Sequence, residues 1–189
     1  MTSPSSSPRQ TVIVGGVAGG ASCAARLRRL DERAVITVFD RGSYVSFANC
    51  GLPYYVGDVI ADERKLLLAS RDSFRERFNI TVHTETEALA IDRQARALQV
   101  RDLRSGALRQ VPYDVLVLAP GAAPIRPALP GVDLPGVFAV RTIPDSRRIR
   151  EWLTARAAQR AVVVGGGFIG LEMVENLRHR GLAVTLLEK

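Results

Sequence analysis

The sequence predicts an α/β protein built from two similar units, each made of a strand, a glycine-rich loop, a helix and a second strand. The first unit opens with the apolar run Thr11–Gly15 and the second with Ala161–Gly165. Short apolar runs that end in glycine are typical of buried strands in a parallel sheet. The repeat predicts two Rossmann-like domains, the second of which is truncated one residue after its last strand.

Local patterns predict the other elements of the first domain. We expect a helix over residues 18–30, a strand at Val35–Phe39, a helix near Asp72–Phe78 and another buried strand at Asp114–Leu118. Residues 80–111 change to short runs separated by turn residues, which predicts a small antiparallel meander. Its strands are expected at Ile80–His83, Ala88–Ile91, Ala97–Arg101 and Leu108–Val111.

Composition divides the chain into four stretches. The Ser- and Pro-rich residues 1–10 are expected to form a disordered tail. Residues 11–122 are expected to form the first domain, and the stretch 123–143, rich in proline and glycine, predicts a crossover linker. Residues 144–189 are expected to start the second domain, with Pro144 in the first turn of a helix.

The charge of the chain points to small anionic ligands. The 189 residues carry a net charge of +7, and Lys65 and Lys189 are the only lysines. The many arginines are scattered, with no run longer than two basic residues and no aromatic ladder, which argues against nucleic-acid binding. Abundant arginine suits pyrophosphates and similar anions.

Composition also excludes several protein classes. No apolar run reaches the roughly 18 residues of a membrane-spanning helix, so no membrane association is expected. Cys23 and Cys50 are too few for a disulfide scaffold or a four-thiolate zinc site. The N-terminus lacks the apolar core of a secretory signal, so we expect a cytoplasmic location.

The loop of the second unit carries a complete G-x-G-x-x-G motif at Gly165, Gly167 and Gly170, with Glu188 after the following strand. The three glycines permit a tight turn, close approach of a pyrophosphate and close packing of helix on strand. An acid at this distance accepts from ribose hydroxyls, and Glu188 would repel a 2′-phosphate, which favours NADH over NADPH. The alternative is a glycine turn without a ligand.

The loop of the first unit carries a variant of the same motif. Gly15 and Gly20 occupy the first and third positions, Val17 replaces the middle glycine, and Gly19 adds a position without a side chain. Asp40 ends the next strand, where a carboxylate would accept from a ribose. Two nucleotide units in one chain suggest a flavin and a nicotinamide, the usual pair for hydride transfer.

Cys50 is the candidate redox residue because it precedes a predicted short helix. A thiol at a helix N-terminus is favoured as the thiolate and is more nucleophilic. The alternative is a buried structural cysteine. No second cysteine stands at C-x-x-C spacing, so a redox role requires a sulfenate or a mixed disulfide with a small thiol.

The predicted first helix has two faces of different chemistry. Cys23, Leu27 and Leu30 share one face at helical spacing and are expected to pack inward. The opposite stripe is either a solvated face or an anion track for a phosphate-bearing substrate. Its residues are Ser22, Arg26, Arg29 and Arg33. His83 and His179 have no neighbouring ligands in the sequence, and no metal site is predicted.

Four stretches of sequence together resemble the single-cysteine, FAD-dependent pyridine nucleotide-disulfide oxidoreductases. This group includes coenzyme A-disulfide reductase and its NADH oxidase and persulfide reductase relatives. The S-F-x-x-C-x-x-P-Y pattern around Cys50 is the most specific part of the resemblance, which covers nearly all of residues 11–189. The stretches are Gly15–Asp31, Ser46–Tyr54, Tyr113–Ala122 and Gly165–Met173.

The resemblance implies two cofactors, FAD and NAD(P)H. The first loop, with Asp40 and Arg41, would hold the ADP part of FAD, and the backbone of Ala88 would lie near the adenine. The loop residues concerned are Gly15, Val17, Ala18, Gly19 and Gly20. The residues Ala119, Pro120 and Gly121 would lie at the return from the FAD domain. The NAD site would comprise Gly165, Gly167, Phe168, Ile169, Gly170 and Glu188.

The resemblance also implies a substrate. Cys50 would cycle between a thiolate and a mixed disulfide with coenzyme A, and hydride would pass from NADH through FAD. The positions that contact coenzyme A in the family are Ser22, Arg26, Arg29, Ser46 and Asn49. Arg26 departs from the glutamine that the family has there, so its role does not follow from the resemblance.

Two other functions fit the same residues. One is an NADH oxidase that reduces oxygen through a Cys50 sulfenate, and the other is an inert nucleotide-binding truncation. Members of the family are more than twice as long and form homodimers, which contribute residues to the substrate site. The chain resembles an N-terminal fragment, so we expect little or no turnover from it alone and do not extend the homodimer to it.

Overall fold

A computed structural model describes residues 7–189, so residues 1–6 of the predicted tail lie outside the described residues. Gln10 was predicted to end the tail, but it begins the first strand and pairs with Val35. The strands are β1 (Gln10–Val14), β2 (Val35–Phe39), β3 (Thr81–His83), β4 (Thr86–Asp92), β5 (Ala97–Asp102), β6 (Leu108–Pro112), β7 (Val115–Leu118), β8 (Arg160–Val164) and β9 (Ala183–Leu187). The α-helices are α1 (Gly19–Leu30), α2 (Leu52–Val56), α3 (Arg71–Phe78), α4 (Ile143–Ala155) and α5 (Phe168–His179).

The chain forms two compact units. The first comprises the chain up to Phe47 together with Leu67–Gly121, and the second comprises Ala48–Leu66 together with Ala122–Lys189. The segment Ala48–Leu66 was predicted to belong to the first domain, but it groups with the second unit. The reason is that Val56, at the end of α2, packs into the apolar core of the second unit.

The first unit contains a parallel sheet with the strand order β3-β2-β1-β7. The prediction that residues 80–83 belong to the meander is wrong, because β3 pairs in parallel with β2 over Thr81–His83. A buried strand was predicted at Asp114–Leu118, but the first and last residues of the observed strand, β7, are exposed. β7 lies at the edge of the sheet, and Val115 and Leu118 are 37% and 58% exposed.

This sheet lies between helices on one face and the meander on the other. The meander itself is antiparallel, as predicted, with the order β4-β5-β6. Because side chains alternate along a strand, each parallel strand contributes to two cores. Ile13 packs with Ala24 of α1 and Phe74 of α3. Phe39 packs on the opposite face with Val100 of the meander.

The side chain of Arg28 joins the C-terminal ends of α1 and α3. Its Nε donates to the carbonyl of Phe78 at 2.8 Å, and its Nη2 donates to that of Asn79 at 2.9 Å. Its Nη1 donates to the carbonyl of Glu32 at 2.6 Å. Carbonyl groups at helix ends have no intrahelical partner, so one guanidinium satisfies several of them.

The second unit is built on a two-stranded parallel sheet, β8-β9, and three helices. Its core contains Val56 of α2, Ile149 of α4, and Met173 and Leu177 of α5. The helices cover one face of this sheet with residues from distant parts of the chain. The prediction of a buried strand at Ala161–Gly165 is wrong for the other face, where Val162 and Val164 are 62% and 79% exposed. None of the helices within residues 7–189 has both the length and the apolar composition needed to cross a lipid bilayer.

Helix α4 begins with a capping box. Thr142 Oγ1 accepts from the N–H of Asp145 at 3.3 Å, and Asp145 Oδ2 accepts from the N–H of Thr142 at 2.9 Å. Burial raises the pKa of Asp145, but hydrogen bonds from Thr142 and Arg148 outweigh burial and leave that pKa below its usual value. The ionised carboxylate therefore stabilises the start of α4.

We expect Asp145→Asn to remove part of the acid sensitivity of the fold, since asparagine keeps the capping geometry without the charge. The folded pKa of Asp145 lies below the unfolded value of 3.8. Its contribution to stability is therefore present above about pH 5 and is lost as the pH falls through the folded pKa. Thermal unfolding of both proteins between about pH 2.5 and 7 should show a smaller loss of Tm in the variant. An equal loss would contradict the prediction.

Candidate functional site

The first glycine loop joins β1 to α1 and contains two glycines that the fold itself requires. Gly15 has a φ of 94°, which side chains of L residues rarely adopt. A Cβ on Gly15 would overlap the carbonyl oxygen of Ala119, and one on Gly20 would overlap the carbonyl oxygen of Gly15. Pro120 also lies close to Gly15, so the chain after β7 returns directly onto this loop.

The carboxylate of Asp40 joins the backbone of this loop to the turn that follows β2. Its Oδ2 accepts from the N–H of Gly16 at 2.7 Å, and its Oδ1 accepts from the N–H of Gly42 at 2.7 Å. Each carboxylate oxygen retains capacity for another hydrogen bond, which a ribose hydroxyl can supply. Sequence reasoning missed Gly16, because the motif leaves its position open.

The second loop repeats this geometry around β8 and α5. Gly165 has a φ of 104°, and a Cβ on Gly170 would overlap the carbonyl oxygen of Gly165. Glu188 Oε2 accepts a hydrogen bond from the N–H of Gly166, as Asp40 does from Gly16. The internal repeat found in the sequence is thus also a repeat of backbone conformation and hydrogen bonding.

Two further glycines have no role in the packing of the chain. Nothing lies within 4 Å of a Cβ built on Gly167, and one built on Gly19 would meet only Ala119 Cβ at 3.6 Å, an ordinary contact. Neither residue has a positive φ. A ligand that approaches the backbone closely explains a glycine in open space. The two loops therefore leave room for such a ligand.

The helices that follow the loops also leave their N-termini uncapped. The N-cap residues of α1 and α5, Ala18 and Gly167, make no side-chain capping bond, and neither first turn contains an acid. In contrast, α3 and α4 both begin with capping boxes. Uncapped N–H groups and the helix dipole favour an anion. Phe168 and Ile169, which were predicted to belong to the NAD site, lie in the first turn of α5 and are 90% and 59% exposed.

Cys50 lies in a 3₁₀ turn, Asn49–Gly51, that leads into α2. The thiol is free and exposed, so the alternative of a buried structural cysteine is wrong. Its neighbour Asn49 has a buried Oδ1 with no hydrogen-bond partner among the described residues. Buried polar atoms are nearly always paired, so this acceptor is free to bind a donor that the chain does not supply.

The predicted substrate residues fall into both units. On α1, Ser22, Arg26 and Arg29 are exposed along one face, and Arg33 is exposed beyond the end of the helix. Ser46 belongs to the first unit, where its N–H donates to the carbonyl of Gly16 at 2.9 Å. The second unit contains Asn49. Their roles in binding a substrate remain predictions.

The inward face of α1 differs in part from the prediction. Cys23 and Leu27 are half-buried and pack against the core of the first unit. Leu30 does not, because it lies at the last turn of α1 and is 67% exposed.

The remaining predicted residues are distributed over the first unit. Arg41 is exposed, and its Nη1 lies 3.7 Å from Glu87 Oε1. Ala88 lies at an irregularity in the pairing of β4 with β5. Gly121 has a φ of 72°.

Neither the surroundings of His83 nor any other cluster points to a metal site within residues 7–189. Burial lowers the pKa of His83, and the positive charges of Arg109 and Arg71 lower it further. The imidazole ring of His83 stacks on the ring of Phe39. No cluster of His, Cys, Asp and Glu within residues 7–189 could hold a metal ion.

Comparison with known proteins agrees with this geometry. The chain is 43% identical over 178 residues to the coenzyme A disulfide reductase of Staphylococcus epidermidis. This match covers 94% of the present chain and 40% of the Staphylococcus protein. The structure of reduced Bacillus anthracis CoADR-RHD superposes with a TM-score of 0.93 and 46% identity, over 96% of this chain and 33% of that one. The structure of a NAD-dependent persulfide reductase from A. fulgidus superposes with a TM-score of 0.89 and 37% identity, over 94% of this chain and 33% of that one.

The chain thus spans less than half the length of the curated relatives that it matches. The model of one protein family, described as pyridine nucleotide-disulphide oxidoreductase, matches residues 9–189, which is nearly the whole chain. The family uses FAD and NAD(P)H. With its two dinucleotide loops and its exposed cysteine, the chain belongs to the pyridine nucleotide-disulphide oxidoreductases.

Proposed function

We propose that this chain provides the dinucleotide loops and the reactive thiol of an NAD(P)H-dependent reductase for a coenzyme A disulfide or a related persulfide. The observation that supports this most directly is the exposed, free thiol of Cys50 in a chain with two glycine loops and two uncapped helices. When bound, FAD supplies the means of passing an electron pair between a nicotinamide and a thiol.

The first loop fits the pyrophosphate of FAD. The open side of Gly19 and the uncapped N-terminus of α1 can receive the anion, and the two oxygens of Asp40 can still accept from a ribose. The second loop fits NAD(P)H in the same way, through Gly167 and Glu188. Because Glu188 is negatively charged, it repels a 2′-phosphate, so we propose NADH as the preferred reductant.

Cys50 would carry out the substrate chemistry by thiol–disulfide exchange. Its thiolate attacks one sulfur of the substrate disulfide, which forms a mixed disulfide and releases the first thiol. An electron pair that comes from NADH, together with a proton, cleaves the mixed disulfide, releases the second thiol and restores the thiolate. For each disulfide, one NADH and one proton yield two thiols and NAD⁺. Arg26 and Arg29 are exposed on α1 and carry the charge that phosphate groups bind.

The exchange step can be tested on the chain without any cofactor. The reduced protein is mixed with coenzyme A disulfide, and intact mass spectrometry follows the adduct. We expect Cys50→Ser to lower the rate of adduct formation by at least about 100-fold, because the nucleophile is removed. Cys23→Ser is the matched control and should react like the wild-type protein, since Cys23 packs against the core.

Two results would contradict the proposal. An adduct that forms at the wild-type rate in Cys50→Ser would exclude this residue as the nucleophile. An exposed Cys50 that does not react with coenzyme A disulfide, but supports oxygen consumption after addition of FAD and NADH, would instead favour an NADH oxidase that uses a Cys50 sulfenate. We also propose a homodimer for the whole protein, which size-exclusion chromatography with light scattering can test.

A further inference from the structure

The turn that carries Cys50 contacts the core at Gly51, which lies against the buried side chain of Leu66. None of the three residues Asn49–Gly51 is buried. The turn is held at its ends, where Ala48 donates from its N–H to the carbonyl of Leu66 at 2.8 Å and where Gly51 leads directly into α2. The position of Cys50 therefore depends on what anchors α2 and the residues before Leu66.

Asp58, just beyond α2, is one anchor. Arg150 of α4 contacts Asp58 Oδ1 through Nη2, and Arg180, just after α5, lies with Nε 3.3 Å from Asp58 Oδ2. The same two arginines bind the backbone on either side: Arg180 Nη1 donates to the carbonyl of Val56 at 3.0 Å, and Arg150 Nη1 donates to that of Ala61 at 3.3 Å. The side chains of Arg150 and Arg180 are only 22% and 16% exposed and that of Asp58 is 44% exposed, so solvent screens these pairs in part.

Glu63, in the 3₁₀ turn that ends at Leu66, is the other anchor. Arg147 of α4 donates to both of its carboxylate oxygens, from Nε at 2.9 Å and from Nη2 at 2.6 Å. The hydroxyl of Tyr55 donates to the same carboxylate at 3.2 Å, and the guanidinium of Arg150 lies 4.2 Å from the centre of the Tyr55 ring. The two anchors are thus connected through Tyr55.

The backbone at the first anchor is fitted closely to α5. Asp58 has a φ of 62°, a conformation that is uncommon for residues other than glycine. A Cβ on the preceding Gly57 would overlap the side chain of Asn176, which is 1% exposed. A strained residue persists only where its surroundings fix it, and here the surroundings are α5 and two guanidinium groups.

From these contacts we infer that Asp58, Arg150 and Arg180 are positioning residues for Cys50, which they fix relative to the helices α4 and α5 of the second unit. This inference rests on the proposed function, because it assigns to Cys50 the reacting thiol whose place must be kept. The three residues do not touch the thiol and act only through α2 and its flanking turns. On this basis, the helix that follows the NAD(P)H loop and the segment that carries the thiol move as one body.

A spin label on Cys50 tests the inference directly. Cys23→Ala leaves Cys50 as the single labelling site, and continuous-wave electron paramagnetic resonance reports the motion of the nitroxide. We expect Asp58→Asn to shorten the rotational correlation time roughly threefold, towards the nanosecond motion of free loops. Asparagine tolerates a positive φ, so this variant removes charge without adding backbone strain. Arg180→Met should have the same effect, and Arg180→Lys should restore part of the immobilisation.

The matched control is Arg28→Met, which removes an arginine with several backbone contacts from the first unit. It should lower the overall stability and leave the spectrum of the Cys50 label unchanged. If Asp58→Asn does not fold, Glu63→Gln tests the second anchor in the same way. A label that is as immobile in the folded Asp58 and Arg180 variants as in the parent would overturn the inference. Because label motion does not depend on electron transfer, this result is independent of whether Cys50 reacts with coenzyme A disulfide.

Discussion

Gly20→Ala is expected to destabilise the first unit by about 4 kcal/mol or more, which would leave much of the protein unfolded at room temperature. The methyl group would overlap the carbonyl oxygen of Gly15, which is backbone and cannot rotate away. Ile13 Cγ2 would lie 3.1 Å from the new atom on another side, so α1 would have to move away from β1. Urea denaturation followed by circular dichroism measures the effect.

Gly19→Ala is the matched control for this substitution. The added methyl group would meet only Ala119 Cβ at 3.6 Å, and Gly19 is the first residue of α1. Alanine has a higher helix propensity than glycine by about 1 kcal/mol, so stability should stay constant or increase slightly. Equal unfolding midpoints for Gly20→Ala and the wild-type protein would show that α1 and β1 are not packed as described.

Gly167→Ala is expected to give a folded protein whose affinity for NADH falls by about 100-fold. The new methyl group has nothing within 4 Å in the chain, and the φ of Gly167 is −70°, so the fold has no reason to change. The methyl group would occupy the space through which a pyrophosphate approaches the N–H groups at the start of α5. Titration of the protein with NADH, followed by isothermal calorimetry, measures the loss.

A second pair of variants separates binding from folding in this loop. Gly170→Ala would overlap the carbonyl oxygen of Gly165, so it should lose both stability and affinity. Glu188→Gln should keep the fold and reduce the preference for NADH over NADPH. The proposed role of the loop would be refuted by a Gly167→Ala protein that binds NADH as tightly as the wild-type protein does.

The local parts of the fold could be predicted from the sequence because their signals are local. The two glycine loops, the helix over Gly19–Leu30 and the three strands of the meander each follow from patterns of a few residues. The pairing of β3 could not be predicted, since Thr81–His83 has the same alternation in a parallel sheet as in a meander. Only the choice of partner strand distinguishes the two, and that choice depends on tertiary packing.

The candidate site could be predicted only in part for a similar reason. Cys50 was chosen from its place before a short helix; the helix and the exposure of the thiol are confirmed, and the redox role stays a prediction. The contacts of Asp58 with Arg150 and Arg180 were not found, because ion pairs between residues so far apart in sequence leave no periodic pattern. The hydrogen bonds of Gly16 and Gly166 were missed because backbone N–H groups are available at nearly every position of a chain.

The discontinuous composition of the second unit has a consequence for synthesis on the ribosome. Residues Ala48–Leu66 leave the ribosome early, but the helix and the arginine that hold them, α5 and Arg180, are made much later. The hydrogen bond from Arg180 to the carbonyl of Val56 spans 124 residues. At about 5 to 20 residues per second, roughly 6 to 25 seconds pass between the synthesis of these two partners. During that time the segment that carries Cys50 lacks its contacts with Arg180, so the place of the thiol becomes fixed only after these later residues have been made.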